Sequence, residues 1–243
     1  MSGGIGSEEK EGGPAFSADA RLLAFSSART GEGDLYVLDV LALEQPARRM
    51  TSGPGLEFYA DFAPKGSALA YTAMSEDGAH ILVLDDAGQS GGRPRAITTG
   101  KGANLKPSWS PDGRKIAFYS NAFKEDRTRF DLYVAAASGD GVPQRVLADV
   151  VPNERRGPSW LPDGRRLVVV RNDANAGDPV VLVDVAASTV EVLDTGTVNN
   201  AEPDVATDRR GRTLVVFVSQ GIRSSEAQDW KRVWLHVLPT SAP

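Results

Sequence analysis

A short phrase recurs five times along this chain, with an aromatic or aliphatic residue at its centre and mostly small or acidic neighbours. The centres are Phe16, Phe62, Trp109, Trp160 and Val205, which lie 46, 47, 51 and 45 residues apart. Internal repetition with a period of about 20–50 residues is typical of proteins built from stacked or radially arranged units. The content of each copy therefore decides the fold.

The third copy shows this content most clearly. Trp109 is followed by Pro111-Asp112-Gly113, a turn in which proline presets φ and glycine can adopt a positive φ. Apolar runs follow at 115–119, 130–134 and 144–147. The copy therefore predicts four short strands joined by turns.

The other copies repeat the turn and the strand after it. The turn glycines are Gly66, Gly113, Gly164 and Gly211, and Ala20 stands there in the first copy. We expect Gly113 and Gly164 to adopt positive φ. Because Trp109 and Trp160 recur at one place beside the first strand, we expect both to pack between neighbouring repeats.

The spacing predicts an all-β fold. Four strands of about six residues and four connections of about five need roughly 44 residues, and four-stranded sheets arranged radially form a β-propeller. No stretch of 11–18 residues shows sustained helical spacing of apolar residues. We predict about five four-stranded blades, the last of them incomplete because 239–243 makes a poor strand. A six-bladed ring is the alternative.

The run 108–118, which reads SWSPDGRKIAF, and the DLYV at 131–134 resemble the WD-like repeat of TolB-type propellers. The resemblance extends from residue 14 to about residue 238. It implies a propeller, usually with six blades, like the one in TolB, a periplasmic partner of the Tol–Pal envelope system. Similar blades occur in solute-binding surface proteins and in domains that gate serine peptidases.

Composition excludes several classes of protein. The net charge of −5 gives no reason to expect nucleic-acid binding. The chain has no cysteine for a disulfide or a thiolate metal site, and no apolar run is long enough to span a membrane. We predict a single propeller domain over 14–243.

Residues 1–13 are rich in glycine and charge, and we predict a flexible tether there. Such a segment follows the acylated cysteine of bacterial lipoproteins. We therefore expect a lipid anchor at the native N-terminus, and the resemblance to TolB implies a periplasmic or outer-membrane-associated protein. A cytoplasmic protein with a disordered N-terminus is the alternative.

The sequence offers little catalytic chemistry. His80 and His236 stand far apart, so no metal-site spacing occurs, and no nucleophile elbow or phosphate loop is present; we predict no metal and no cofactor. A glycosidase needs two carboxyl groups about 5–10 Å apart. The candidates come from the second and fifth copies, which are apart in a ring: Glu57, Asp61, Glu202 and Asp204.

Binding is the favoured function. In a propeller, the loops that enter each innermost strand gather at one mouth of the central channel, and variable loops on a rigid scaffold carry function. Aromatic, cationic and amide side chains of this kind suit a protein or peptide partner. The candidate binding residues are Glu57, Tyr59, Asn104, Lys106, Arg155, Asn200 and Glu202. We therefore predict a non-catalytic scaffold; a carbohydrate-active or carbohydrate-binding propeller and a gating propeller for a hydrolase on another chain are the alternatives.

Overall fold

The computed structural model of the chain describes residues 11–31, 33–89, 92–154, 156–173, 175–222 and 232–239. Throughout these ranges the regular secondary structure is β-strand. None of these residues belongs to a helix that could cross a bilayer.

The strands form five consecutive units, which we call blades 1 to 5. Blade 1 contains β1 (Glu11–Phe16), β2 (Leu22–Ser27), β3 (Asp34–Asp39) and β4 (Arg48–Arg49). Blade 2 contains β5 (Glu57–Phe62), β6 (Leu69–Ser75), β7 (Gly78–Leu84) and β8 (Arg95–Ala96). Blade 3 contains β9 (Gly102–Trp109), β10 (Lys115–Ser120), β11 (Phe130–Ala136) and β12 (Gln144–Val151). Blade 4 contains β13 (Ser159–Trp160), β14 (Arg166–Arg171), β15 (Val180–Asp184) and β16 (Thr189–Val192). Blade 5 contains β17 (Thr197–Thr207), β18 (Thr213–Ile222) and β19 (Arg232–Val237).

Within each blade, strands that follow one another in sequence pair antiparallel. Short bridges also join blades: Gly78 pairs with Gly102 between blades 2 and 3, and Val150 pairs with Arg171 between blades 3 and 4. Blades 2 to 4 therefore share one continuous network of strand pairs.

The repeated turn has the predicted backbone. Gly113 and Gly164 adopt φ of 73° and 64°, which confirms the expectation for both, and Ala20 adopts 57° at the same place in blade 1. In blade 3, Ser110 donates to the Asp112 carboxylate at 2.6 Å, which in turn accepts from the Arg114 backbone N–H at 3.0 Å. The serine and the aspartate thus satisfy the polar groups of this turn.

The core lies between the blades, because successive residues of a strand point to opposite faces of its sheet. In β10, Ile116 and Phe118 pack against blade 2, whereas Ala117 and Tyr119 pack against blade 4. All four side chains are fully buried. Each internal blade thus contributes to two hydrophobic clusters.

The two repeated tryptophans connect neighbouring blades, as predicted. Trp109 Nε1 donates to the Asp61 carbonyl oxygen at 3.1 Å, and Trp160 Nε1 donates to the Ser108 carbonyl oxygen at 3.1 Å. Each indole therefore satisfies its N–H with the backbone of the preceding blade while its ring packs between the two.

The last blade has an open face. Val233, Leu235 and Val237 on β19 are 75%, 59% and 43% exposed, although the opposite face of blade 5 is buried against blade 4. Blade 1 therefore does not cover this face. Within the described ranges blade 5 has three strands where the other blades have four.

The N-terminal boundary differs from the prediction. β1 begins at Glu11, which pairs with Ser27, so residues 11–13 belong to blade 1 rather than to a tether. The glycines at 12 and 13 disguise the strand because they carry no side chain, and their place in it is a bulge. Residues 1–10 of the proposed tether lie outside the described residues.

Candidate functional site

The innermost strands share a bulge at one end of the blades. The register shifts between Gly12 and Ala15, Phe58 and Asp61, Leu105 and Ser108, and Ala201 and Asp204. Each shift contains a residue in the left-handed region: Gly13 (φ 59°), Tyr59 (54°), Lys106 (59°) and Glu202 (52°). Arg155, the binding residue predicted in the segment that enters blade 4, lies outside the described residues.

Glycine adopts this conformation freely, but other residues pay about 1–2 kcal/mol for it. Blade 1 carries the glycine, whereas blades 2, 3 and 5 carry a tyrosine, a lysine and a glutamate. Backbone strain of this kind concentrates at functional sites. The bulge residues are therefore the first candidates for a binding role.

Three of these residues, Tyr59, Lys106 and Glu202, lie together at the end of the channel. Lys106 Nζ lies 4.7 Å from the centre of the Tyr59 ring and donates to the Asn153 carbonyl oxygen. Tyr59 Oη donates to the Glu154 carbonyl oxygen at 3.3 Å, and the Glu154 backbone N–H donates to the Glu202 carboxylate. These residues come from blades 2, 3 and 5 and from the segment entering blade 4. We call them the mouth cluster: Tyr59, Lys106, Asn153, Glu154 and Glu202.

The mouth cluster holds a buried cation. Lys106 is 6% exposed, and burial lowers the pKa of its ammonium group, while the negative charges of Glu202 and Glu154 raise it. Burial also raises the pKa of Tyr59, and the same two carboxylates raise it further. The cluster thus combines an aromatic ring, a cation and carboxylates.

The remaining predicted residues lie outside the mouth cluster. Asn104 is fully buried and donates to the Ala79 carbonyl oxygen of blade 2 at 3.1 Å. Asn200 is 3% exposed and donates to the Asp178 carbonyl oxygen of blade 4 at 3.0 Å. Both amides thus join neighbouring blades. Glu57 lies in a separate cavity between blades 1 and 2. Ligand binding by any of these residues stays a prediction.

The channel beyond the mouth is a cavity of about 480 Å³, lined by the innermost strands of all five blades. Asp61, Arg156 and Asp204 line it, and Arg156 pairs with Asp204 at 2.7 Å. Asp61 accepts a hydrogen bond from the Trp109 backbone N–H at 2.8 Å. Arg156 is a channel residue that the sequence analysis did not single out.

The raised pKa of Asp61 predicts that the stability of the protein depends on pH. Burial raises its pKa from 3.8 to about 6, whereas the Trp109 N–H and Arg156 oppose the shift. The folded protein therefore binds this proton more tightly than the unfolded chain, and its stability falls as the pH rises from about 4 to 6. For a fully buried carboxylate, a pKa raised this far would lower the free energy of unfolding at neutral pH by about 3 kcal/mol. Because the Asp61 carboxylate faces the channel, we expect Asp61→Asn to stabilise the protein by only about 1–2 kcal/mol at pH 7.5.

Urea denaturation at pH 7.5 and at pH 4 tests this expectation, since the gain should vanish at the lower pH. Asp112→Asn is the matched control, because the Ser110 hydroxyl and the Arg114 backbone N–H lower the pKa of Asp112. That substitution should destabilise at neutral pH. A gain from Asp61→Asn that is equal at both pH values would contradict the assignment.

Comparison with known proteins agrees with the β-propeller fold. The family model described as TolB beta propeller domain matches residues 13–228. A Protein TolB homolog of Chlorobium luteolum is 35% identical over 45% of this chain and 24% of its own length. A Tricorn protease homolog of Saccharolobus solfataricus is 28% identical over 56% of this chain and 11% of its own. The chain spans less than half of the length of the curated relatives it matches.

The fold is also similar to a solved one. The crystal structure of TolB from Acinetobacter baumannii superposes with a TM-score of 0.62 at 20% identity, covering 92% of this chain and 57% of that one. At this identity the match concerns the fold alone. The family match extends over most of the chain, from the bulge of blade 1 into the last blade. This chain therefore belongs to the TolB β-propeller domain family.

Proposed function

We propose that the chain is a non-catalytic propeller that binds a protein or peptide segment at the mouth cluster. The observation that carries the proposal is the left-handed backbone of Tyr59, Lys106 and Glu202, which stand at positions where blade 1 has a glycine. A purely structural bulge would be served better by glycine. Their side chains supply the aromatic and charged groups that dominate binding energy in protein interfaces.

The mouth suits a segment of polypeptide. Residues of blades 2, 3 and 5 lie together there, so one inserted segment can contact several blades at once. The β-sheets that carry them are rigid, which limits the entropy lost on binding. Lys106 and Tyr59 now donate to backbone carbonyl oxygens, and a peptide C=O group can replace these as acceptor. A peptide N–H group can then donate to the carbonyl oxygens that are released.

Tyr59→Gly tests the proposal without damage to the fold. Glycine relieves the positive φ and stands naturally at Gly13, so we expect the free energy of unfolding to change by no more than about 1 kcal/mol. We expect the affinity for the partner to fall about 30-fold, the loss typical of a hot-spot residue. The partner is isolated with the native chain from envelope extract, identified by mass spectrometry, purified and titrated against both forms.

Leu41→Ala is the matched control. Leu41 is 79% exposed in the connection between β3 and β4, at the opposite end of the blades. We expect this substitution to leave the affinity unchanged. Equal affinity of the native and Tyr59→Gly forms would move the site elsewhere, first to the 121–129 loop.

We further propose a periplasmic or outer-membrane-associated location in a bacterium. The support is the family membership together with the resemblance to TolB. Fractionation of cells that express the tagged, full-length gene product tests it. Recovery in the cytoplasmic fraction would contradict it.

A gating role for a hydrolase is the second candidate. The 28% identity to a Tricorn protease homolog favours it, and the channel gives a size-limited path. The test is to add the purified chain to a hydrolase encoded beside it. Gating predicts slower cleavage of long peptides than of dipeptides, whereas a binding scaffold predicts no change in either rate.

A further inference from the structure

A second cavity, of about 530 Å³, lies between blades 1 and 2 and is separate from the channel. It contains three buried polar atoms with no hydrogen-bond partner in the described part of the chain: Glu57 Oε2, Tyr71 Oη and His80 Nδ1. Glu57 is 6% exposed and Tyr71 is fully buried. Unpaired buried polar groups cost about 1–3 kcal/mol each and are rare in native proteins. Three in one cavity point to a ligand.

Strand register explains how the three groups come together. Glu57 pairs with Ala73 across β5 and β6, and Ala73 pairs with His80 across β6 and β7. The three residues therefore form one row on the blade face that points to blade 1. Tyr71 lies two residues along β6 on the same face. Ala73, with its small side chain, lies between Glu57 and His80 in this row.

Hydrogen bonds fix the carboxylate of Glu57 in this cavity. It accepts hydrogen bonds from the Thr51 hydroxyl and the Gly53 backbone N–H. Burial raises its pKa, and the nearby charge of Asp34 adds to this, whereas Arg49 lowers it. Arg49 itself pairs with Asp34 at 2.9 Å. The second oxygen of Glu57 therefore stays without a hydrogen-bond partner in the described chain, and Arg49, the cation that acts on it, is paired with Asp34.

In blade 1, an arginine side chain occupies the corresponding row. Its counterpart of Glu57 is Glu11, which pairs with Ser27 in the same register. Arg29 forms an ion pair with Glu11 and donates to the Ser27 hydroxyl at 2.9 Å. Its guanidinium carbon lies 5.4 Å from the centre of the Phe25 ring, and Phe25 is the counterpart of Tyr71. A guanidinium group thus fills this place in blade 1.

Blade 3 fills its row with an ammonium group. Asp131, the counterpart of His80, pairs with Ser120 and is fully buried. Lys124 Nζ lies 2.7 Å from Asp131 and 2.9 Å from Asp149. In both blades the cation comes from the connection between the second and third strands. In blade 2 this connection is only the turn between Ser75 and Gly78, so no side chain folds back into the row.

We propose that the cavity between blades 1 and 2 binds the guanidinium or ammonium group of an organic cation, supplied from outside the chain. In blade 2 the cation takes the place that Arg29 occupies in blade 1. Glu57 pairs with its charge, and Tyr71 and His80 accept its remaining N–H groups. The apolar part of the ligand lies against Met50, Leu82 and Pro94, which also line the cavity. The volume fits a small molecule or one side chain of a peptide.

Isothermal titration with butylguanidinium tests the proposal, with the neutral and similarly shaped butylurea as the reference. We expect butylguanidinium to bind at millimolar concentration and butylurea to bind at least about tenfold more weakly, because only the cation forms a charge-assisted pair with Glu57. Absence of butylguanidinium binding, or equal binding of both compounds, overturns the proposal.

Variants locate the binding. Glu57→Gln keeps the shape of the side chain and should weaken butylguanidinium at least about tenfold, and Ala73→Leu should block it by filling the cavity. Asp86→Asn is the matched control, because it removes one carboxylate charge from an exposed connection of the same blade. It should leave the affinity unchanged. Unchanged affinity in Glu57→Gln would place the binding elsewhere; its thermal melting temperature confirms that this variant is folded.

A blocked arginine amide distinguishes the source of the cation. If it binds at least as tightly as butylguanidinium, the ligand is an arginine side chain of a peptide. If it is excluded while butylguanidinium binds, the ligand is a free small cation. Both results support the site, because both require the pair with Glu57.

Discussion

Replacing Trp160 with alanine is expected to lower the free energy of unfolding by about 3–5 kcal/mol. Trp160 is 8% exposed and belongs to the hydrophobic cluster that joins blades 3 and 4, which also contains Val146 and Leu167. Alanine would leave a cavity in that cluster. It would also leave the Ser108 carbonyl oxygen without the indole N–H. Urea denaturation followed by circular dichroism measures the loss.

Two further substitutions separate the contributions of this side chain. Trp160→Phe keeps most of the ring but loses the hydrogen bond to Ser108, so it should cost about 1–2 kcal/mol. Phe16→Ala changes the same position of blade 1, where Phe16 is 59% exposed, and should cost less than about 1 kcal/mol. If Trp160→Ala cost no more than Phe16→Ala, the packing of blades 3 and 4 would not depend on the tryptophan.

The fold was predictable because each copy carries its own strand and turn signals. Gly113 and Gly164 have the expected positive φ, and the two tryptophans connect blades. The fifth copy is less regular. Sequence alignment on its turn glycine equates Leu214 with Ile116, whereas Val215 and Phe217 are the residues that pack on blade 4. The turn between β17 and β18 is closed one residue earlier: the Asp208 N–H donates to the Arg212 carbonyl oxygen, whereas in blade 3 the Ser110 N–H donates to that of Lys115. This shifts the alternation by one residue.

The mouth cluster was only partly predictable. Propeller topology predicts that the loops entering the innermost strands lie together, so Tyr59, Lys106, Arg155 and Asn200 are expected to be close. Sequence does not show which residue of each loop occupies the bulge, because a non-glycine residue with positive φ has no local signature. Asn104 and Asn200 lie two residues before a bulge residue, and their side chains point into the contacts between blades.

The cation cavity was not visible in the sequence at all. Glu57, Ala73 and His80 become neighbours only through the register of three strands. The row in blade 2 is understood only by comparison with blade 1, where Arg29 occupies the same row. Contacts of this kind depend on side-chain placement across blades, which a repeat pattern leaves undetermined.

Gly78→Ala is expected to destabilise the protein by about 3 kcal/mol or more. Gly78 has φ of 146°, a conformation that a side chain disfavours, and it pairs with Gly102 at the bridge between blades 2 and 3. A Cβ there would overlap the Gly102 carbonyl oxygen. Because that oxygen belongs to backbone, relief requires the two blades to separate, which adds an overpacking cost of about 1–3 kcal/mol to the backbone strain.

Gly66→Ala isolates the backbone part of this effect. Gly66 also has a positive φ, 73°, but a Cβ there would meet no atom within 4 Å. Ala20 already occupies the equivalent turn of blade 1 with φ of 57°, so an alanine is tolerated in this turn. We expect Gly66→Ala to cost about 1 kcal/mol. The difference between the two variants in urea denaturation then measures how tightly blades 2 and 3 are held together, and equal losses would show that the Gly78–Gly102 bridge opens without cost.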